Sequence, residues 1–459
     1  MAKPTVTPQH SDQGTHSVGK LRDTGLALTI LNRVLAGYGK RDFALRLWDG
    51  TTVPPDPGEE ARFTLVLNRP GALRRMLLPP NELALGEAYL DGDWDLEGDI
   101  IAAMRLGDAF ERLAMRARDW IGLARQVMAL SSEASGADGR ENRTYGRQRA
   151  RLAGAEHSKE RDRKAVTYHY DVGNDFFKLF LDRRMIYSCA YFPTGSEDLD
   201  TAQEAKLEHT CRKLRLKPGE RLLDIGCGWG GLIAYAAERF GVEAVGITLS
   251  QPQAQLANER IAAAGLADRC KAMVLDYRDL AALGPFDKIV SVGMVEHVGR
   301  AKLPEYFESA WRGLKPGGLF LNHGITSAAR DQGSSNLLDR YIFQRGAFIR
   351  KYVFPDGELV PVGEMLGFAE RVGFEVRDVE SLREHYALTL RHWVHRLETK
   401  REEALRHVDE RTYRVWRLYM AGCSHAFSTA RLSVHQSLLA RPDGNGCCGL
   451  PMSRADLYA

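Results

Sequence analysis

The sequence predicts an α/β protein whose larger, C-terminal part is a doubly wound parallel sheet. Two observations carry this. From about Lys164 onward, short apolar runs alternate with helical patterns, and Arg221–Ile225, Ala244–Thr248, Cys270–Leu275, Lys288–Val292 and Gly318–His323 read as strands. The first of them runs through Leu222-Leu223-Asp224-Ile225-Gly226-Cys227-Gly228-Trp229-Gly230-Gly231 into a helical pattern of Leu232, Ile233, Ala236 and Ala237. That order is a buried strand, a tight turn and a helix. Lacking side chains, Gly226, Gly228 and Gly230 let a ligand lie against backbone N–H groups at the helix start. In such a sheet the ligand sits beyond the carboxyl ends of the strands, where the chain order reverses.

At 459 residues the chain is longer than one ordinary domain, so two are expected. With 44% hydrophobic and 27% charged residues it falls in the soluble globular class, and a net charge of +3 is too small to argue for nucleic acid. The odd set of cysteines (Cys189, Cys211, Cys227, Cys270, Cys423, Cys447, Cys448) shows no C-x-x-C pair or zinc spacing. Reduced thiols in a cytosolic protein, with no metal site, are the simplest account. Met1 to Lys20 lacks the apolar core of a signal peptide, and no segment approaches the roughly 20 apolar residues of a membrane span. Contact with lipid is therefore expected from the surface, at the inner face of the cell membrane.

Residues 1–20 read as a disordered tail. Residues 21–130 read as a smaller N-terminal α+β domain. Its strand candidates are Phe43–Trp48 and Arg62–Leu67, a helix follows Pro79-Pro80-Asn81-Glu82, and Asp91–Leu96 is a turn and short strand. Ile100 to Leu130 has a helical period with Arg105, Arg112, Arg116, Arg118 and Arg125 along it. Such a helix either docks on anionic headgroups or packs its apolar stripe inside the domain. Residues 131–163 form a linker, 164–440 the second domain and 441–459 a C-terminal tail. The Arg391–Arg417 region alternates charges and reads as a solvated face.

The glycine-rich turn differs from a dinucleotide fingerprint, because Val242-Glu243-Ala244-Val245-Gly246-Ile247 runs into Thr248 where the usual acid would stand. Its D-x-G-x-G-x-G form resembles motif I of the class I S-adenosylmethionine (SAM) methyltransferases, with a Rossmann-like sheet. Four further segments matter: Tyr168–Phe177 followed by Tyr187-Ser188-Cys189-Ala190-Tyr191-Phe192; Gly293-Met294-Val295-Glu296-His297-Val298-Gly299; Leu321-Asn322-His323-Gly324-Ile325-Thr326; and Glu384–Trp393. With these, the chain resembles the cyclopropane-fatty-acyl-phospholipid synthases and the mycolic acid cyclopropane synthases. The likeness covers the second domain from about Val166, with an N-terminal lipid-binding module in front.

The resemblance implies SAM-dependent methylation of a cis double bond in the acyl chain of an unsaturated membrane phospholipid. The alkene attacks the sulfonium methyl, a carbocation forms, and proton loss from the new methyl closes a cyclopropane. It implies bicarbonate as the base, held by Cys189, Glu296, His323, Tyr386 and the Ile325 backbone. Aromatic faces suit the cation, and the chain supplies Tyr170, Tyr187, Tyr191, Phe192 and Trp393. The SAM-binding positions are Tyr187 and Ser188 at the methionine end, Asp224, Gly226, Gly228 and Gly230 in motif I, Thr248 and Gln253 at the ribose, and Asp276 and Tyr277 at the adenine. A homodimer and peripheral membrane association are the family expectation.

Each residue also has a structural reading: Cys189 as a buried thiol, His323 as a satisfied strand-end imidazole, Glu296 as an acid at a helix N-terminus. A methylene-branched product, methylation of another lipid or small molecule, and a silent lipid-binding homologue are the rivals. Ser327 to Tyr352, rich in arginine and large apolar residues, reads equally as a flap over an acyl chain or as a solvated amphipathic helix.

Overall fold

The computed structural model describes residues 13–111, 117–131, 150, 152–170, 172–328 and 346–458. The chain divides into two compact units, Met1–Gly146 with Asn336–Phe348, and Arg147–Ser335 with Ile349–Ala459.

The first unit holds a four-stranded sheet in the order β2-β1-β3-β4, with β1 Phe43–Arg46, β2 Thr52–Val53, β3 Phe63–Leu67 and β4 Trp94–Gly98. β1 and β3 run parallel, and the register that pairs Phe43 with Phe63 stacks their rings at 4.7 Å. Around the sheet stand α1 Gln13–Val34, α2 Ala72–Leu77, α3 Glu82–Leu90, α4 Ile100–Ala103, α5 Arg105–Glu111 and α6 Ala117–Met128. α1 begins inside the stretch read as a tail. Asn81 caps α3 by accepting from the Ala84 amide, and cation-bearing Arg69 and Arg75 neutralise the buried Asp93. Within the helical period expected over Ile100 to Leu130, a turn at Met104 separates α4 from α5, and residues 112–116, between α5 and α6 and including Arg112 and Arg116, lie outside the described residues.

The second unit is built on seven strands: β5 Arg221–Ile225, β6 Glu243–Thr248, β7 Cys270–Val274, β8 Phe286–Val292, β9 Leu314–Ser327, β10 Glu375–Ser381 and β11 Leu432–Ala440. Their order is β10-β11-β9-β8-β5-β6-β7, with β11 antiparallel to both neighbours and every other pairing parallel. Alternation within β5 sends Leu222 into the core on one face and Leu223 into the core on the other. Burying a large apolar side chain of this kind contributes about 1.5–3 kcal/mol. The chain reverses direction across the sheet between β5 and β8, so the carboxyl ends of these strands open a crevice.

Helices flank the sheet: α7 Lys159–Tyr170, α8 Asn174–Phe180, α9 Leu199–Leu214, α10 Gly231–Phe240, α11 Gln251–Ala263 and α12 Leu303–Gly313. After them come α13 Ala347–Tyr352, α14 Val362–Val372, α15 Arg383–Thr399, α16 Arg401–His407 and α17 Glu410–Ser428. Asp198 and Ser250 cap α9 and α11 through the Thr201 and Gln253 amides.

Three expectations change. β9 is far longer than Gly318–His323 and takes in Ile325, while β10 and β11 were not anticipated. The Arg391–Arg417 region is solvated on one side only: Arg391, Arg401, Glu402 and Glu403 are exposed, but Trp393 and Trp416 are fully buried and Arg417 is sealed by an ion pair to Glu398 at 2.8 Å. The C-terminal tail docks, with Leu457 buried and Cys448 and Leu450 packed on the core. Most of the Ser327–Tyr352 segment lies outside the described residues.

Candidate active site

A cavity lies beyond the carboxyl ends of β5, β6 and β8. Tyr170, Tyr187, Ser188, Asp224, Gly226, Gly228, Thr248, Gln253 and Tyr277 all line it. The motif I turn brings them there: Gly226, Gly228 and Gly230 adopt left-handed φ of 90°, 53° and 77°. A Cβ on Gly228 would meet nothing within 4 Å, so this glycine faces open volume. Gly230 is different, since a Cβ there would press to 3.0 Å of the Ala257 Cβ on α11. Thr248 Oγ1 donates to Gln253 Oε1 at 2.8 Å, and Gln253 Nε2 is buried with no hydrogen bond within 3.5 Å among the described residues, the Tyr170 phenol being its polar neighbour. Asp224 Oδ1 is equally unpartnered, and burial pushes its carboxyl up to about 7 against the pull of the Lys206 charge. Asp276 stands outside the lining, its two oxygens taken by the Arg278 guanidinium at 2.7 and 2.6 Å. An open glycine cradle with unpartnered donor and acceptor atoms fits a nucleoside bearing an amino acid arm.

A second group of residues comes from four elements. Glu296 sits on the short turn after β8, His323 and Ile325 on β9, Tyr386 in the first turn of α15, and Cys189 on the segment before α9. Ile325 N–H donates to Glu296 Oε1 at 2.7 Å, whereas Oε2 is sealed from solvent without a partner among the described residues. Burial pushes the Glu296 carboxyl up to about 7. His323 is 2% exposed, and Gln436 Nε2 lies 3.2 Å from its Nδ1. An amide donor there assigns the ring proton to Nε2, which is buried with no described partner. Burial and the charges of Lys206 and Lys213 keep this imidazole neutral. Cys189 Sγ lies 3.2 Å from the Ala190 carbonyl and 3.6 Å from that of Leu382, and burial holds it as a thiol. Burial raises the Tyr386 phenol, as do the charges of Tyr187, Cys189 and Glu296 around it.

The aromatic residues fall into two groups. Tyr187 stacks on Trp393 at 5.1 Å and lies 6.2 Å from Tyr170, and Tyr386 meets Trp393 edge-on at 6.1 Å. Tyr191 instead lies between the imidazoles of His209 and His385, at 4.5 and 4.8 Å, and Phe192 stacks on His392 at 5.6 Å.

Residues 157–437 match the family model of mycolic acid cyclopropane synthetase, which covers more than half of the chain. The chain belongs to this family. Residues 30–109 also match a domain of unknown function (DUF7884). A probable fatty acid methyltransferase of Pseudomonas putida is 41% identical over 416 residues, covering 90% of this chain and 95% of the relative. The cyclopropane-fatty-acyl-phospholipid synthase of Escherichia coli K12 is 35% identical over 376 residues, covering 81% and 86%. Among solved structures, mycolic acid cyclopropane synthase CmaA1 complexed with SAH and CTAB is similar, with a TM-score of 0.57 and 34% identity over 60% of this chain and 97% of that one. This member of the mycolic acid cyclopropane synthetase family is a SAM-dependent methyltransferase on a Rossmann-like class I sheet.

Within the synthetase unit, sequence reasoning missed several residues of the site. Lys206 lines the cavity from α9, and Gln436 reaches His323 from the unanticipated β11. Trp229 of motif I and Trp416 of α17 extend the aromatic cluster, both within 5.1 Å of the Phe177 ring centre. An α17 spacing of Tyr413, Trp416 and Tyr419 was the available signal for one buried helical face.

Proposed function

We propose that this enzyme methylates a cis double bond in an unsaturated phospholipid acyl chain and that the product is a cyclopropane. The observation that carries the reading is that Glu296 Oε2 and His323 Nε2 are each buried and unpartnered among the described residues, the first able to accept and the second to donate. SAM supplies an electrophilic methyl group when bound. Asp224, Gly226, Gly228, Gly230, Thr248, Gln253, Tyr277, Tyr187 and Ser188 are assigned to hold it, with Asp276 acting through Arg278, whose guanidinium it holds at the cavity wall. The faces of Tyr170, Tyr187 and Trp393 are assigned to the developing cation, which they attract without offering a lone pair to trap it, whereas Tyr191 and Phe192, stacked on imidazoles, take no part in it.

Glu296 and His323 suit a bicarbonate ion, the imidazole donating to one of its oxygens and the carboxyl exchanging a proton with another. Tyr386 and Cys189 orient it as neutral donors. Ile325 acts through Glu296, whose Oε1 its amide holds. The carboxyl's titration near neutrality suits transfer of the proton lost on ring closure.

Acyl-chain substrates are supported by the names of both relatives. The first unit, at 21–130, is assigned to lipid: Ile121 and Met128 of α6 are 54% and 52% exposed, with Arg125 between them on the same face. No helix among the described residues is long and apolar enough to cross a membrane, in keeping with peripheral association at the cytoplasmic face. A homodimer is part of the proposal. A second reading ends the same methylation in a methylene-branched or other methylated chain, which the fatty acid methyltransferase name of the Pseudomonas relative favours. Transfer of label from methyl-labelled SAM into the acyl fraction of cis-monounsaturated phospholipid vesicles tests the substrate class. Depletion and restoration of bicarbonate in that assay tests the base, and turnover unchanged by depletion overturns it.

A further inference from the structure

We propose that Lys206 is a cofactor-binding residue whose ammonium receives the α-carboxylate of the methionine arm, across the site from Asp224. This rests on the assignment of the cavity to SAM.

Lys206 sits in the middle of α9, only 1% exposed, and lines the cavity together with Ser188, Asp224 and Gly226. Its Nζ donates to Ser188 Oγ at 2.9 Å, its one hydrogen bond among the described residues, and no described carboxylate lies within ion-pair distance. An ammonium carries three donors, so two remain unused in a sealed place. A buried charge left in that condition is costly, and a ligand that pairs it returns that cost.

Lys213 supplies the contrast. It lies two turns further along the same helix, is equally buried, and is neutralised by Glu380 and Asp378. A lysine kept for structure is ion-paired in this fold, whereas Lys206 has no ion pair among the described residues: the buried Asp182 is the largest opposite charge it feels, but that carboxylate already accepts from the Arg184 and Ile186 amides. Support of the 186–188 segment does not explain Lys206 either. Gln203, one turn earlier, already donates to the carbonyls of Ile186 and Ser188 at 3.4 and 2.9 Å.

Asp224 completes the argument. Its carboxylate is also buried and lacks a described partner. Nor do the two groups neutralise each other by direct contact, since they form no ion pair within 4 Å among the described residues. One cavity end therefore presents a cation and, apart from it, a carboxyl that ionises near neutrality. An α-amino acid is the complementary zwitterion, with its carboxylate toward Lys206 and its ammonium toward Asp224. Desolvation pulls the Lys206 ammonium down to about 8, so it remains mostly charged at neutral pH and gains from a bound carboxylate.

The test compares two ligands on the full-length protein by calorimetry: S-adenosylhomocysteine, which carries the amino acid arm, and 5′-methylthioadenosine, which lacks it. Lys206→Met is expected to weaken S-adenosylhomocysteine about 10- to 100-fold, the loss of one charged hydrogen bond, while 5′-methylthioadenosine changes by no more than about twofold. Lys206→Gln, which keeps a polar end beside Ser188, serves the same comparison where Lys206→Met does not fold. Equal weakening of both ligands makes Lys206 structural and overturns the inference, as does unchanged S-adenosylhomocysteine affinity. Wild-type protein that binds neither ligand overturns the cofactor assignment itself, a separate result.

Discussion

Glu296 Oε1 and the backbone nitrogen of Ile325 lie 2.7 Å apart, tying the turn after β8 to the carboxyl end of β9. One carboxylate oxygen is thereby committed to a strand amide, and the other is left free to exchange a proton. Glu296→Gln keeps an acceptor for Ile325 and abolishes the titration. Its circular dichroism and S-adenosylhomocysteine affinity are expected to match wild type, while turnover of cis-monounsaturated phospholipid falls about 100-fold or more. Near-normal turnover would remove Glu296 from proton transfer.

The same carboxyl makes stability depend on pH. Its value rises from 4.5 to about 7 on folding, so the native state binds the proton more tightly than the unfolded chain. The contribution is complete below about pH 4.5 and is lost as pH rises through about 7. Glu296→Gln should therefore gain stability over wild type at pH 8, by on the order of 2–3 kcal/mol, and little at pH 4.5. Thermal unfolding at the two pH values reads this difference, and the Asp224 contribution, of the same sign, cancels in it. An equal change at both pH values contradicts the assignment.

Gly228 combines a φ of 53° with open volume where a Cβ would stand. A β-branched residue is strained at that angle and projects into the cavity. Gly228→Val is expected to abolish S-adenosylhomocysteine binding in calorimetry while the fold persists. Retained binding moves the ligand out of the motif I turn.

Gln436 fixes which nitrogen of His323 carries the proton. Gln436→Leu frees the imidazole to adopt the other tautomer, with Nε2 as acceptor. Turnover is expected to fall about tenfold or more, with cofactor affinity unchanged. A variant as active as wild type shows that the tautomer does not matter.

Cys189 is buried and held as a thiol, which suits orientation rather than nucleophilic attack. Cys189→Ser should leave partial turnover in the phospholipid assay. Complete loss with normal S-adenosylhomocysteine binding assigns the sulfur a more direct part.

Much of the catalytic unit was legible because β5 and β8 carry apolar pairs, Leu222-Leu223 and Ile289-Val290, and run into glycine turns at Gly226 and Gly293, while β6 and β7 alternate with helical patterns. The motif residues Asp224, Glu296 and His323 stand at or just after the ends of such strands, where a site forms. β11 was hidden because His435, Gln436 and Ser437 interrupt its apolar residues, although Gln436 and Ser437 are almost wholly buried. β10, Glu375–Ser381, carries Glu375, Arg377, Asp378 and Glu380 among its seven residues and reads as surface. Lys206 was missed for a related reason. A lysine within a charged helix normally faces water, and only the packing of α9 under the 186–188 segment shows that this one does not.

The most direct measurement is mass spectrometry, with gas-chromatographic separation of isomers, of acyl chains after purified protein meets SAM and cis-monounsaturated phospholipid vesicles. The account predicts chains longer by one carbon with unsaturation count unchanged, and with the retention and fragmentation of a cyclopropane. A methylene-branched product of the same mass contradicts ring closure and leaves the methylation standing. No modified acyl chain, from protein that binds S-adenosylhomocysteine, contradicts the proposed substrate.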